Sequence, residues 1–543
     1  MWTLLLMLTV EPEFVRLEPA ALKVEEAEVR VGAFLLGRTE VTQGEYLRVT
    51  GLGVGGQIPV TNVTWFDAVR YANRRSKLES LRPCYDASWQ RVIGCTGYRL
   101  PTGAEWSIAA TPGDLDSANL RTGGHNDIGE LSGAVRAVGT RQGLQDLYGN
   151  VWEWCEDWYS PEPLLDALRD PAGPLKGTER LLRGGSYLSS RSQWNKGFVS
   201  SRSPEQASPF TGFRLARTLT PAAPLPPPDP GWLAQFQHAA AGDALKPLAP
   251  EDRPEIRQTW TRLLGLPPKA FEVPAVHLRQ RFEESTWRGE LLDLDVEPGF
   301  PARILVMEPA RKPNGRLPVV IVPYYDVDSP AGENLGGRRS GGGVRAFAKM
   351  AAQRGYLAVA IRWFGEGDAE GYDEAVARLA HRHPGMTGMA KWILDAQRLV
   401  DYLVARPDVD PQRIGIIGHS LGGKMALYAA AFEPRLAVVV SSEPGISLGF
   451  SNYEAFWYLG QQRPRDRDQQ ELLALIAPRP FLLIAGESAD GAKSWPYLAA
   501  AQPVYAALGD KMHLGMINHG QGHTPTAGSV ALAMDWLERF LGR

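Results

Sequence analysis

One run constrains the fold of this chain more than any other: Arg413-Ile-Gly-Ile-Ile-Gly-His-Ser-Leu-Gly-Gly-Lys424. A β-branched apolar stretch ends at Gly418-His419-Ser420-Leu421-Gly422. It passes at once into Met425-Ala-Leu-Tyr-Ala-Ala-Ala431, which has the composition of a helix. Strand, sharp turn and helix in that order form a nucleophile elbow, with Ser420 exposed on a strained bend. Glycines two before and two after the serine let strand and helix approach closely. The pattern predicts Ser420 as a nucleophile toward an ester or amide carbonyl.

The residues around the elbow alternate between the two secondary-structure periods. Strands are expected at Val319–Tyr325, Leu357–Arg362, Ile414–Ile417, Ala437–Ser441, Phe481–Ala485 and Leu514–Asn518. Helices are expected near 344–354, 386–405, 421–432, 496–507 and 526–541. Apolar strands separated by amphipathic helices indicate a mostly parallel sheet covered on both faces. Gly289–Val296 and Ala302–Glu308 read as an antiparallel opening pair. Upstream, Thr218–Gly231 holds six prolines in fourteen residues and reads as a stiff linker. The expected organisation is a domain at 11–217, a linker at 218–231 and a domain at 232–543 with a helical preface at 232–270. In the first half, helices are expected at Thr42–Val49 and Thr64–Ser76, among short strands and loops.

Composition excludes several classes. At 543 residues the chain exceeds one ordinary domain. A net charge of -3 without a basic run disfavours nucleic acid. No apolar stretch approaches the roughly 20 residues of a membrane span. Met1–Val10 is apolar but short, and reads either as a remnant of a signal peptide or as a first strand. Of three cysteines, Cys84 and Cys95 are placed to close a small loop by a disulfide, which favours an extracytoplasmic location over a cytoplasmic one. With Cys155 the only other cysteine, there is no zinc-binding set.

Six segments of the first half occur in one order: Leu36-Gly-Arg-Thr-Glu-Val-Thr-Gln-Gly-Glu-Tyr46, Pro59–Trp65, Tyr98-Arg-Leu-Pro-Thr-Gly-Ala-Glu-Trp106, Asp146-Leu-Tyr-Gly-Asn-Val-Trp-Glu-Trp154, Arg183-Gly-Gly-Ser-Tyr187 and Gly212-Phe-Arg214. Together they resemble the formylglycine-generating enzyme (sulfatase-modifying factor) family. The resemblance implies an α+β fold related to C-type lectins. It also implies two copper-binding cysteines shortly after the Gly-Gly-Ser motif, yet Ser189 and Trp194 stand at those places. A hydroxyl is a poor copper(I) ligand and forms no mixed disulfide, so this domain is expected not to make formylglycine. Trp152, Trp154 and Trp158 read as core or capping aromatics, with a binding surface as the alternative. The resemblance further implies structural calcium near Asn150 and Glu153, the matching oxygen donors.

The second half resembles the α/β-hydrolase superfamily, whose triad runs serine, acid, histidine along the chain. Three histidines follow Ser420. His523, in Asn518-His-Gly-Gln-Gly-His-Thr-Pro-Thr526, sits in a glycine-flanked loop past the last strand and is the expected base; His519 is the reserve, and His513 reads as structural. Asp490 and Glu443 each follow a strand, and both stand as candidates for the acid. Glu443, twenty-three residues after the serine, and Lys424, four after it, also resemble glucuronoyl esterases and related carbohydrate esterases. There the lysine faces sugar hydroxyls. Those enzymes carry an arginine directly after the nucleophile where this chain has Leu421, which leaves acetyl xylan esterase-like and dienelactone hydrolase-like relatives equally open. The expected oxyanion donors are backbone N–H groups of Leu421 and of Tyr324 or Tyr325. Arg362, Trp363, Trp457 and Trp495 are candidate pocket walls.

These residues point to a serine carboxylic-ester hydrolase acting on a small-molecule or carbohydrate ester, fused to an inactive sulfatase-modifying-factor-like module. The chemistry requires no metal or organic cofactor. The alternatives are a formylglycine-forming oxidase, a non-catalytic binding protein and a peptidase of the same fold. Nothing in the sequence sets the oligomeric state.

Overall fold

Residues 319–324, Val-Val-Ile-Val-Pro-Tyr, have no polar face, and such a strand is stable only with both sides covered. In the computed structural model it is the middle of a nine-stranded sheet. The structure describes residues 13–542 except 25–26, 93–94, 111–142, 161–168, 174–176, 191–198, 221–226, 239–244, 269–270, 284–286, 298–300, 310–314, 336–342 and 367–370. The chain forms two compact units, Met1–Pro224 and Leu225–Arg543. Met1–Val10, Trp194 and residues 221–226 of the proline-rich segment lie outside the described residues. The described ends of that segment are structured: one strand runs to Thr220 and a short helix begins at Pro230.

The sheet of the second unit contains β1 (Val276–Glu283), β2 (Trp287–Leu294), β3 (Ala302–Pro309), β4 (Leu317–Tyr324), β5 (Leu357–Arg362), β6 (Val409–His419), β7 (Leu436–Ser442), β8 (Phe481–Ala485) and β9 (Leu514–Asn518). Their spatial order is β1-β2-β3-β5-β4-β6-β7-β8-β9. β1 to β3 are antiparallel, β3 pairs antiparallel with β5, and every later pairing is parallel. This is the α/β-hydrolase arrangement, with the antiparallel opening pair where the sequence places it. One strand is absent from those expected: β1, which is exposed along nearly its whole length. The preface contributes the helix Arg253–Leu264, whose Ile256, Trp260 and Leu264 enter the core.

Helices Gly388–Ala405 and Leu421–Phe432 pack on the central strands. All twelve residues of the second helix are buried, so its apolar composition reflects enclosure on all sides. Burial of such aliphatic side chains stabilises by about 1.5–3 kcal/mol each before entropy is counted.

The first unit is built from short pieces. A three-stranded antiparallel sheet joins Phe14–Leu17, Ala33–Gly37 and Ala216–Thr220. A second sheet orders Val199–Arg202, Arg180–Arg183, Trp152–Trp158 and Thr211–Gly212. Helices Gln43–Thr50, Trp65–Leu78 and Gly103–Ala109 each start at a threonine whose hydroxyl accepts a backbone N–H, with a carboxylate three residues on returning the bond. Such caps contribute about 1 kcal/mol each. This is an α+β organisation, as the resemblance of the first half implies. Cys84 and Cys95 are joined by a disulfide. Arg214 and Glu153 form a fully buried ion pair, and removing one partner of such a pair costs about 3–5 kcal/mol.

Candidate active site

The turn at Ser420 is built by close backbone approach. A Cβ on Gly418 would lie 2.1 Å from the Gly422 carbonyl oxygen, and one on Gly422 would lie 2.2 Å from the Pro323 carbonyl oxygen. Gly423 faces the Ser442 carbonyl in the same way, at 2.6 Å. No side chain fits at these three positions. They let the helix Leu421–Phe432 start directly over the ends of β4, β6 and β7. Ser420 itself takes φ 56° and ψ -114°, a conformation that costs about 1–3 kcal/mol. Two backbone bonds hold it there: Ser420 N–H to the Ser442 carbonyl (2.8 Å) and Lys424 N–H to the Ser420 carbonyl (3.0 Å). The Ser420 side chain caps nothing. Its hydroxyl is left for chemistry.

His523 comes to this place from the loop after β9. Its ring centroid lies 4.8 Å from that of His419, and its Nδ1 lies 3.6 Å from Glu443 Oε2. That separation exceeds a hydrogen bond, but triad contacts are often longer in unliganded enzymes. The imidazole is 45% exposed while Glu443 is wholly buried. Glu443 sits in the left-handed region, φ 50°. Its Oε2 also accepts the Asp490 N–H at 3.0 Å, and its Oε1 has no hydrogen-bond partner among the described residues. His519 is buried behind the loop. Its N–H bonds the Ala485 carbonyl, and its ring lies so close to Gly486 that a Cβ there would collide with it. His513 packs on Phe540, away from the site.

Asp490 has a different task. Its carboxylate accepts the Gly445 and Ile446 N–H groups (2.6 and 2.8 Å) and the Ser494 hydroxyl (2.8 Å). It therefore ties down the loop that follows Glu443 and, through its own N–H, fixes Glu443 Oε2. Burial raises its pKa from 3.8 to about 6. Between those values the folded protein holds a proton that the unfolded chain has released. Stability from this group is complete below about pH 4 and falls, by on the order of 3 kcal/mol, as pH rises to about 6. Thermal melts across this range should show Asp490→Asn gaining on wild type as pH rises. A constant difference would contradict this account.

Lys424 is buried. Its Nζ donates to the Ser451 hydroxyl at 2.8 Å and lies over the rings of Tyr453 (4.7 Å) and Tyr458 (5.5 Å). Burial lowers its pKa to about 8. His419, within the elbow, is buried with Nδ1 3.1 Å from the Ser442 hydroxyl. Burial, followed by the neighbouring His523 ring, keeps its pKa well below the ordinary imidazole value.

On the oxyanion side, Leu421 is the first residue of the elbow helix, and Tyr324 closes β4 with its carbonyl accepting the Trp363 N–H. Tyr325 follows, half-buried, its ring edge-on to Tyr324. Arg362 is half-buried at the end of β5, in register with Tyr324. Trp457 is half-buried and stacks on Tyr372. Two candidate walls are corrected. Trp495 is 3% exposed and Trp363 0%; both belong to the hydrophobic core, where large indoles find the most surface to bury.

The first unit shows where calcium was implied. Both oxygens of Glu153 are occupied by Arg214, with Trp106 Nε1 donating to one of them, and the Asn150 amide donates to Glu40. A guanidinium already balances Glu153, so these residues do not fit a calcium ion. Among the described residues no group of three or more His, Cys, Asp or Glu is arranged to hold a metal. Trp154 is core, its indole N–H bonded to the Val63 carbonyl. Trp158 lies under the Arg180 guanidinium at 3.6 Å.

Fold and site together define an esterase-like α/β-hydrolase unit joined to a sulfatase-modifying-factor-like domain. Comparison with known proteins gives the same two parts. The Sulfatase-modifying factor enzyme 1-like domain family matches residues 49–219, and the Glucuronyl esterase, fungi family matches residues 379–467. A formylglycine-generating enzyme of Streptomyces coelicolor is 36% identical over 170 residues, 29% of this chain and 52% of that protein; the chain thus spans about half of its length. YtaP of Bacillus subtilis, designated a hydrolase, is 28% identical over 308 residues, 53% of this chain and all of that protein. A glucuronoyl esterase structure from Solibacter usitatus aligns with a TM-score of 0.46 at 19% identity, covering 53% of this chain and 92% of that one. Among the described residues no helix is long and apolar enough to cross a membrane.

Proposed function

We propose that the second unit is a serine carboxylic-ester hydrolase of carbohydrate esters, and that the first unit is a non-oxidative module. The observation that carries the first part is Ser420, held at positive φ, with His523 packed on the adjacent His419 and its Nδ1 facing a buried carboxylate. Ser420 attacks the ester carbonyl, and His523 takes the proton and passes it to the leaving alcohol. Glu443 holds the imidazole in the required tautomer. Backbone N–H groups at Leu421 and at Tyr324 or Tyr325 receive the oxyanion. Water then deacylates Ser420 by the reverse proton transfers. Lys424, at about pKa 8 among tyrosine rings, is suited to sugar hydroxyls. The second part rests on sulfur chemistry. Ser189 is buried with its hydroxyl accepting the Ser186 N–H, Cys84 and Cys95 are bonded to each other, and burial raises the Cys155 thiol well above its ordinary value. None supplies a thiolate pair for copper.

A panel of p-nitrophenyl acetate, acetylated xylan oligosaccharides, a methyl glucuronate ester and an aminoacyl amide tests this reading. Hydrolysis of the esters, with the sugar esters preferred and the amide inert, is the expected result. Cleavage of the amide alone would overturn it. Aldehyde formation on a cysteine-bearing sulfatase peptide would overturn the non-oxidative part.

A further inference from the structure

Arg345 ends a short 3-10 turn, Gly343–Arg345, and is half-buried. Four other half-buried guanidinium groups of this unit are held in ion pairs, Arg406 with Asp408 and Glu308, Arg413 with Asp410, Arg435 with Glu433 and Asp401, Arg467 with Glu471 and Glu255, and Arg253, Arg257 and Arg479 donate to backbone carbonyls instead. Arg345 makes no ion pair among the described residues. Among the described residues its one hydrogen bond is long, 3.5 Å from its terminal nitrogen to the Tyr324 hydroxyl. A guanidinium has five donors and is expensive to desolvate without acceptors.

Its place ties it to the reaction centre. Tyr324 closes β4 beside the elbow, and a Cβ on Gly422 would lie 3.5 Å from its ring. The Arg345 charge is also felt at His419, next to His523. The tyrosine hydroxyl lies a full side chain's length from its own backbone N–H. Arg345 thus meets the far end of the Tyr324 side chain, whose ring lies against the elbow.

We infer that Arg345 is a specificity-determining residue that binds a carboxylate carried by the ester substrate close to the scissile bond. The inference rests on the hydrolase reading above. The planar fork of the guanidinium matches two carboxylate oxygens, which a lysine does not reproduce.

The test compares p-nitrophenyl acetate with mono-p-nitrophenyl succinate, the same leaving group without and with a carboxylate, for wild type, Arg345→Gln and Arg345→Lys. The ratio of kcat/KM for the anionic over the neutral ester should fall about 10–100-fold in Arg345→Gln, through KM, as expected for loss of a charge-assisted hydrogen bond. Arg345→Lys should fall between the two. An equal loss of kcat on both esters would put Arg345 on the oxyanion and overturn the inference; an unchanged ratio would overturn it as well. If wild type cleaves neither ester, the hydrolase reading itself fails and the inference falls with it.

Discussion

Ser420→Ala is expected to lower ester hydrolysis by on the order of 10⁶-fold in kcat, the loss seen when a serine hydrolase loses its nucleophile. The Ser420 side chain makes no capping bond, so alanine removes no helix cap. The variant should therefore fold like wild type and still bind substrate. Steady-state rates on p-nitrophenyl acetate, with thermal melts as a folding control, read this directly. Wild-type rates in a folded Ser420→Ala protein would mean that another group performs the attack.

Glu443→Gln is expected to cost about 10⁴-fold in kcat, the magnitude reached when a triad acid becomes its amide and the histidine is left in the wrong tautomer. The introduced amide can still accept the Asp490 N–H through its carbonyl, so loop geometry is retained and the loss reports the charge. Asp490→Asn should cost far less rate, because the Asp490 carboxylate is spent on the Gly445 and Ile446 N–H groups and the Ser494 hydroxyl. The kcat values of the two variants assign the acid. A greater loss in Asp490→Asn would reverse the assignment.

The parts of the fold that the sequence reveals are those governed by local rules. Thr42 and Thr64 open helices because their hydroxyls and a following carboxylate satisfy the first N–H groups. The same signal, Thr102-Gly-Ala-Glu105, marks the helix Gly103–Ala109, which is missing from the expected elements although its cap is legible. Strand Val276–Glu283 is legible too, as Val276, Leu278 and Phe282 alternating with His277, Arg279, Arg281 and Glu283. Its polarity hides it, because an edge strand exposed on both faces lacks the apolar run that marks β4 to β9. Ser420 and His523 stand out because an elbow and a glycine-flanked loop are local features. The choice between Glu443 and Asp490 does not, since both follow strands. Only the loop packing shows that one carboxylate faces the imidazole while the other braces backbone N–H groups. Trp495 fails as a pocket wall because an indole looks alike in sequence whether it lines a cleft or fills a core. Arg345 carries no sequence signal, since the lack of an acidic partner among its described neighbours is a property of three dimensions.

The central claim is that Ser420 is the activated nucleophile. A fluorophosphonate probe, which reacts with serines activated by a neighbouring base, tests it most directly when the labelled peptide is sequenced. The account predicts one adduct, on Ser420, lost in Ser420→Ala and strongly slowed in His523→Ala. Labelling of another residue, or labelling of Ser420 that His523→Ala leaves unchanged, would contradict it.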